Sequence, residues 1–241
     1  MRTVQYQRIA DELRQQITGG HLAPGERLPS EQQLASTYRV GVPTVRQATT
    51  QLEAEGLVDK RHGRGTFVRA QQPRTQYRDD RHAWTEWKPT PAHTTHRTVR
   101  RREADRPLSA LLAVPLGTPI TECRYTTNTP DRAPHIVVHA YVLPDLLPGP
   151  GPATAPDPWA DDLHRALTTA GIELATVTER LTARPPTADE AQAMNLPGGV
   201  ALLEITRTTT DTTGRIITAA RLHLAGDRTE AIFSRPAPQP N

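Results

Sequence analysis

Two stretches of the chain hold side chains suited to gripping a polyanion. Thr44, Arg46, Gln47 and Gln51 share one face of a helical repeat beginning at Pro43, and each can reach a base edge or a phosphate. Lys60, Arg61, Arg64 and Arg69 crowd residues 60 to 69, a run without an acid. This is the chemistry of recognition rather than bond making. The chain has no G-x-S-x-G, no H-E-x-x-H and no P-loop. Cys123 has no cysteine partner and reads as a buried structural thiol on a strand. His135, His139 and Tyr141 share one strand face and could line a polar pocket, but histidines at i, i+4 on a strand stand about 13 Å apart, too far for one metal. Neither a metal nor a cofactor is expected.

The elements that position the cationic groups follow from the local pattern. Ser30 can cap a helix, with Gln33 three residues on as a capping box. Leu34, Ala35 and Tyr38 then share a face. Arg39-Val40-Gly41 is a tight break, with Gly41 the expected turn residue. Pro43 suits the first turn of the next helix, where its missing N–H costs nothing, and Val45, Ala48, Leu52 and Thr49 form its inner stripe. Beyond Gly56 the period changes to that of a strand: Leu57-Val58, a turn at His62-Gly63-Arg64-Gly65, then Thr66-Phe67-Val68. A basic hairpin beside a helix-turn-helix is a wing, placed to meet phosphates, with a glycine tip narrow enough for the minor groove.

The segment LPSEQQLASTYRVGVPTVRQATTQLEAEGLVDKRHGRGTFV (28–68), preceded by an amphipathic helix through Tyr6, Ile9, Ala10, Leu13 and Ile17, resembles the DNA-binding head of the GntR family of bacterial transcription regulators. The resemblance spans about residues 3 to 70 and implies DNA contact by Ser30, Gln32, Val42, Pro43, Thr44, Arg46, Gln47, Lys60, Arg61, His62, Gly63, Arg64 and Thr66. Two positions depart from the family. Gln32 stands where members often have arginine, and Gly41-Val42 replaces a frequent Ser-Arg or Thr-Arg. The family's usual operator core is therefore in doubt, and Val42 could instead contact a thymine methyl.

Charge divides the chain. Residues 1–106 carry 19 Lys and Arg against 12 Asp and Glu, and residues 107–241 carry 10 against 14, so a basic front precedes an acidic rear. One cysteine excludes an internal disulfide, and there is neither a signal-like N-terminus nor a run of 18 apolar residues. A cytoplasmic protein that does not enter a membrane is expected. The domain plan is a head over 1–70, a linker over 71–90 onto which Trp84 and Trp87 could dock, an α+β domain over 91–235, and a disordered tail over 236–241. Within the third part the pattern predicts a strand near 93–104, a helix from Pro107 to Val114, and an antiparallel pair Pro119–Thr127 and Pro134–Leu143. Helix Trp159–Ala170, strand Ile172–Ala183, helix Thr187–Met194 and a hairpin Val200–Thr210 with Arg215–Leu224 follow.

That order, with the phrases LGTPITECRY (116–125) and HLAGDRTEAIF (223–233), resembles the UTRA effector domain, the partner of this head in the HutC branch. UTRA domains resemble chorismate lyase in fold, an antiparallel sheet with helices. The resemblance implies a small-molecule pocket formed by Arg124, Thr126, Val138, His139, Tyr141 and Thr218. Members that bind sugar phosphates carry two arginines two apart on the second strand; here the second is Thr126. The acids expected on later strands fall at Val138, beside His139, and at Thr218. The implied effector is therefore not a sugar phosphate and is less charged and more apolar. The expected function is a homodimeric repressor on an inverted-repeat DNA operator, released by a small molecule. Two other classes stay open: a DNA-binding protein whose C-terminal domain only dimerises, and an enzyme carrying a DNA-binding head.

Overall fold

Three helices and a two-stranded wing build the N-terminal unit, and their apolar stripes meet in one core. The computed structural model describes residues 5–61, 63–69, 74–78, 94–128, 133–147, 151–152, 155–196 and 198–234. Helix α1 (Gln5–Thr18) buries Ile9, Ala10 and Leu13, α2 (Glu31–Tyr38) buries Leu34 and Ala35, and α3 (Val42–Ala54) buries Val45, Ala48, Thr49 and Leu52. Strands β1 (Val58–Arg61) and β2 (Gly65–Val68) pair antiparallel and close the core with Val58 and Val68. Arg14 of α1 grips Glu55 at the end of α3 with two hydrogen bonds of 2.8 and 2.6 Å, and this holds the Glu55 carboxyl below its ordinary range.

Helix α2 starts on the expected capping box: Gln33 N–H donates to Ser30 Oγ at 3.2 Å, and Ser30 N–H donates to Gln33 Oε1 at 2.8 Å. Its end differs from expectation. Arg39, not Gly41, takes the left-handed conformation (φ 54°), while Gly41 is extended (φ −71°, ψ 148°) and precedes α3 as its N-cap. The helix closes at Arg39 because the Val40 N–H returns to the Ala35 carbonyl, so the chain is already extended at Gly41. The wing glycines behave as expected: Gly63 and Gly65 have φ of 69° and 112°.

The second unit begins at Arg74, inside the stretch read as a linker. Strand β3 (Thr75–Arg78) runs parallel to β10 (Thr229–Ile232), and neither was legible as a strand. Tyr77 is fully buried, its ring edge-on to Trp159 at 5.1 Å. Trp84, Trp87 and the tail after residue 234 lie outside the described residues. The main sheet has the antiparallel order β4-β5-β6-β9-β8-β7, from β4 (Thr94–Glu103), β5 (Pro119–Asn128), β6 (Ile136–Val142), β7 (Leu174–Arg184), β8 (Leu202–Asp211) and β9 (Ile216–Ala225). Helix α4 (Arg106–Leu112) packs on one face, against Ile120, Tyr141 and Ala219. Helix α5 (Asp161–Thr169) covers the other, against Tyr125, Val138, Ala140 and Leu222. The short α6 (Ala188–Ala193) lies between β7 and β8 in the chain. Cys123 is buried within the α5-side core, and burial pushes its thiol up to about 11, so it stays protonated and unreactive at neutral pH.

Helix α5 begins at Ala160, which has no capping side chain, so Asp157 does that work. Its carboxylate accepts N–H bonds from Trp159, Asp161 and Asp162 at 2.8 to 2.9 Å. Asp162 beside it is fully buried, with Arg97 and Tyr125 on Oδ2 and no partner on Oδ1 among the described residues. Burial, with the nearby charge of Asp157, pushes the Asp162 carboxyl up to about 6. An unfolded aspartate titrates near 3.9. The folded state therefore holds a proton that the unfolded chain has released, and this contribution to stability fades as pH rises through about 6. Asp162→Asn should remove that part of the slope. Urea unfolding at a series of pH values should show the variant gaining on wild type between about pH 4 and 7; a difference constant across that window would refute the shifted carboxyl.

Candidate DNA interface and effector face

The polar face of α3 is exposed where the helix begins. Gly41 caps it with no side chain, and Pro43 lies in the first turn. Arg46 and Gln47 are exposed, and Val42 and Thr44 are half-buried beside them. The Arg46 side chain is 63% exposed and donates to Glu31 Oε2 from Nε and Nη2, at 3.1 and 2.9 Å. An exposed pair of this kind is weak and screened by solvent, so a phosphate or guanine can take the guanidinium over. Ser30 spends its hydroxyl on the cap, and Gln32 points to solvent from the first turn of α2.

The wing is fastened to α3 rather than loose. Lys60 donates to Thr50 Oγ1 at 2.9 Å and pairs with Glu53 at 3.1 Å. The Arg61 guanidinium stacks 4.6 Å above the Phe67 ring, a cation–π contact that stiffens the hairpin. Arg64 is exposed and has no partner among the described residues, and the Thr66 carbonyl accepts the Leu28 N–H at 2.8 Å. His62 lies outside the described residues.

The six residues expected to line an effector pocket divide between the two faces of the sheet. Arg124, Thr126, His139 and Tyr141 share the α4-side face. Val138 and Thr218 point the other way, into the α5-side layer, where Val138 is fully buried and Thr218 pairs with Val142 and Thr209. The period of two explains the correction: one step from His139 to Val138 changes the face. Tyr141 is 5% exposed beneath α4 and forms a wall of that face rather than an open group. His135, read as part of the same polar face, is buried and bonded through Nε2 to Thr75 of β3 at 3.0 Å.

Two residues that the sequence did not single out complete this face. Glu122 is 1% exposed and accepts Arg100 Nε at 2.8 Å and His139 Nδ1 at 2.7 Å, with Arg102 at 3.5 Å. Burial pushes its carboxyl up, but the hydrogen bonds of Arg100 and His139 outweigh this and hold it below the usual range. A carboxylate only accepts, so His139 carries its proton on Nδ1 and leaves Nε2 available. Arg221 of β9 pairs in register with His139, which in turn pairs with Arg124. The row Arg124–His139–Arg221 thus crosses three strands, with its arginines about 10 Å apart at the backbone. Neither arginine has an ion pair or side-chain hydrogen bond among the described residues, though the charge of Arg221 acts on the Tyr141 hydroxyl. The sequence alone could not supply Arg221, because its neighbours on the face come from a strand about 80 residues away. Among the described residues, no group of three or more His, Cys, Asp or Glu could hold a metal ion, and no helix is long and apolar enough to cross a membrane.

A polar helix start beside a basic wing, joined in one chain to a sheet domain with a polar face, matches two family models. Residues 5–68 match bacterial regulatory proteins of the gntR family, and residues 91–230 match the UTRA domain. The chain belongs to the GntR family, with a UTRA effector domain. This GntR regulator is 29% identical to an uncharacterized HTH-type transcriptional regulator of Streptomyces coelicolor, over 92% of this chain and 89% of that one. It is 27% identical to the histidine utilization repressor of Klebsiella aerogenes, over 92% and 91%. A crystal structure of a GntR-family transcriptional regulator superposes with a TM-score of 0.69 at 23% identity, covering 98% and 99% of the two chains, and shows the same fold. The protein is thus a transcriptional repressor of the GntR/HutC type, and its homologues are regulators rather than enzymes.

If the exposed start of α3 enters the major groove, Arg46→Ala should weaken operator binding by about 1–3 kcal/mol when Arg46 reads a guanine. Fluorescence anisotropy at physiological salt measures this, and equal affinity in the two proteins would remove Arg46 from the interface.

Proposed function

We propose that this GntR regulator binds an inverted-repeat operator as a homodimer and is released from it by a small anionic molecule held on the α4-side face of the sheet. The observation that carries the DNA reading is the exposed, polar N-terminal face of α3 set beside a wing that α3 itself braces. Thr44, Arg46 and Gln47 are the base readers, with Val42 placed for a thymine methyl. Ser30 and Pro43 position the two helix starts, and Gln32, Lys60, Arg61, His62, Gly63, Arg64 and Thr66 contact the backbone.

One head spans only a few base pairs, and two-fold symmetry doubles the contact. What supports pairing through the second unit is β7, an 11-residue edge strand with Val177 and Leu181 37% and 40% exposed. A fragment ending near Ala70 should sediment as a monomer and bind DNA far more weakly than the whole chain. Dimerisation of that fragment by itself would move the interface to the head.

The effector reading rests on Arg124, His139 and Arg221. The expected loss of a cation at Thr126 is offset across the sheet by Arg221, so the face suits an anion after all. The charges lie along a row rather than in a fork on one strand. This arrangement favours an extended carboxylate, with His139 Nε2 meeting a hydrogen-bonding group, over a sugar phosphate. Such a ligand acts only through its differential affinity for the two states of the protein, and a coupling of about 1–3 kcal/mol changes operator affinity about 5- to 150-fold. Titration with carboxylate metabolites should raise the melting temperature and release DNA, with Arg124→Ala and Arg221→Ala each abolishing the response. Micromolar binding of N-acetylglucosamine 6-phosphate with DNA release would overturn the choice of ligand class.

A further inference from the structure

A cavity of about 340 Å³ opens in the head between the start of α2 and the wing. Arg27, Lys60 and Arg61 line it, with Ser30 and Thr66 adding hydroxyls. Glu31 is the acid among the described lining residues, and Arg46 already engages it. Lys60 and Arg61 are spent on Glu53 and on the Phe67 ring. Arg27 is exposed and has no partner among the described residues.

The backbone around Arg27 is built into the wing. Arg27 forms an antiparallel bridge with Phe67, flanked by Leu28 N–H to the Thr66 carbonyl at 2.8 Å and Val68 N–H to the Glu26 carbonyl at 2.7 Å. Its guanidinium lies over Gly65, where a Cβ would stand 2.7 Å from Nε and 3.2 Å from Nη2. Gly65 therefore does two things: it takes a φ of 112° and leaves room for the Arg27 side chain. A partnerless cation held by a backbone bridge to the two-stranded wing, beside two hydroxyls, is a preformed anion seat.

We propose that this seat takes a backbone phosphate of duplex DNA, with Arg27 as the donor. The proposal rests on the DNA-binding reading above. A phosphodiester is the occupant because the cavity shares Glu31 with Arg46, the candidate base reader, and shares Lys60 and Arg61 with the wing. An anion seated there lies on a strand bordering the groove that α3 enters. A phosphate contact carries no sequence preference, so Arg27 contributes equally on any duplex.

The test uses the full chain and a fluorescent mixed-sequence duplex of about 30 base pairs, with anisotropy read across a salt series. Arg27→Ala should bind more weakly and flatten the slope of log K against log salt by about 0.9. Between 50 and 200 mM salt its affinity should then fall about 3.5-fold less than that of wild type. Arg27→Lys should restore the slope, since charge rather than shape sets it. Unchanged melting of both variants shows that the head is intact, as expected for an exposed side chain. A salt-dependent wild type matched in slope and affinity by Arg27→Ala overturns the Arg27 seat alone. A wild type that shows no salt-dependent duplex binding overturns the DNA-binding reading and the seat with it. Protection of Arg27 from phenylglyoxal by inorganic phosphate but not by duplex would assign the seat to a free anion and overturn the proposal.

Discussion

A guanidinium only 2% exposed must be met by opposite charge, and the sheet domain is arranged around one. Arg207 of β8 donates to Glu179 at 2.7 Å, to Asp161 and the Trp159 carbonyl at 2.9 Å, and to Tyr77 Oη at 3.1 Å. Tyr77 Oη also donates to Glu179. These partners come from β3, the start of α5 with the residues just before it, and β7, so a single buried cation on β8 draws three separate parts of the chain to one point. Removing Arg207 would strand the buried Asp161 carboxylate in low dielectric, and breaking a buried pair in this way typically costs about 3–5 kcal/mol. The Asp157 cap and the Asp162–Arg97 pair lie on the same end of α5. That end of the helix is thus set by ionic contacts, and the sheet below it by apolar ones.

The head was legible almost residue by residue because its signals are local. A capping box, a proline in the first turn, two glycines at the wing tip and an alternating strand each depend on neighbours within a few positions. The one local misreading, Gly41 for Arg39, shows the limit of treating glycine as the turn residue. A helix can close on a left-handed arginine when the returning N–H groups are satisfied.

The C-terminal half was legible as an order of elements and not as a surface. Hydrophobic alternation located the strands but did not say which outward residues would share a face across them. Val138 and Thr218 were placed in a pocket and lie in the core layer, while Arg221 and Glu122 were passed over and stand beside His139. Strand β3 escaped for a different reason. Its four residues, Thr-Gln-Tyr-Arg, have one apolar member, and they hold as a strand because β10, distant in sequence, lies parallel to them and Arg207 receives the tyrosine hydroxyl.

The Arg46–Glu31 ion pair has a kinetic consequence. In the free protein the charge of Arg46 is partly masked, whereas Arg64 presents its charge to solvent. Under the proposed DNA-binding role, the exposed cations without an acidic partner meet a duplex first, because long-range attraction to phosphates acts on unmasked charge. Under the same role, Arg46 engages DNA only by exchanging Glu31 for a base edge or phosphate.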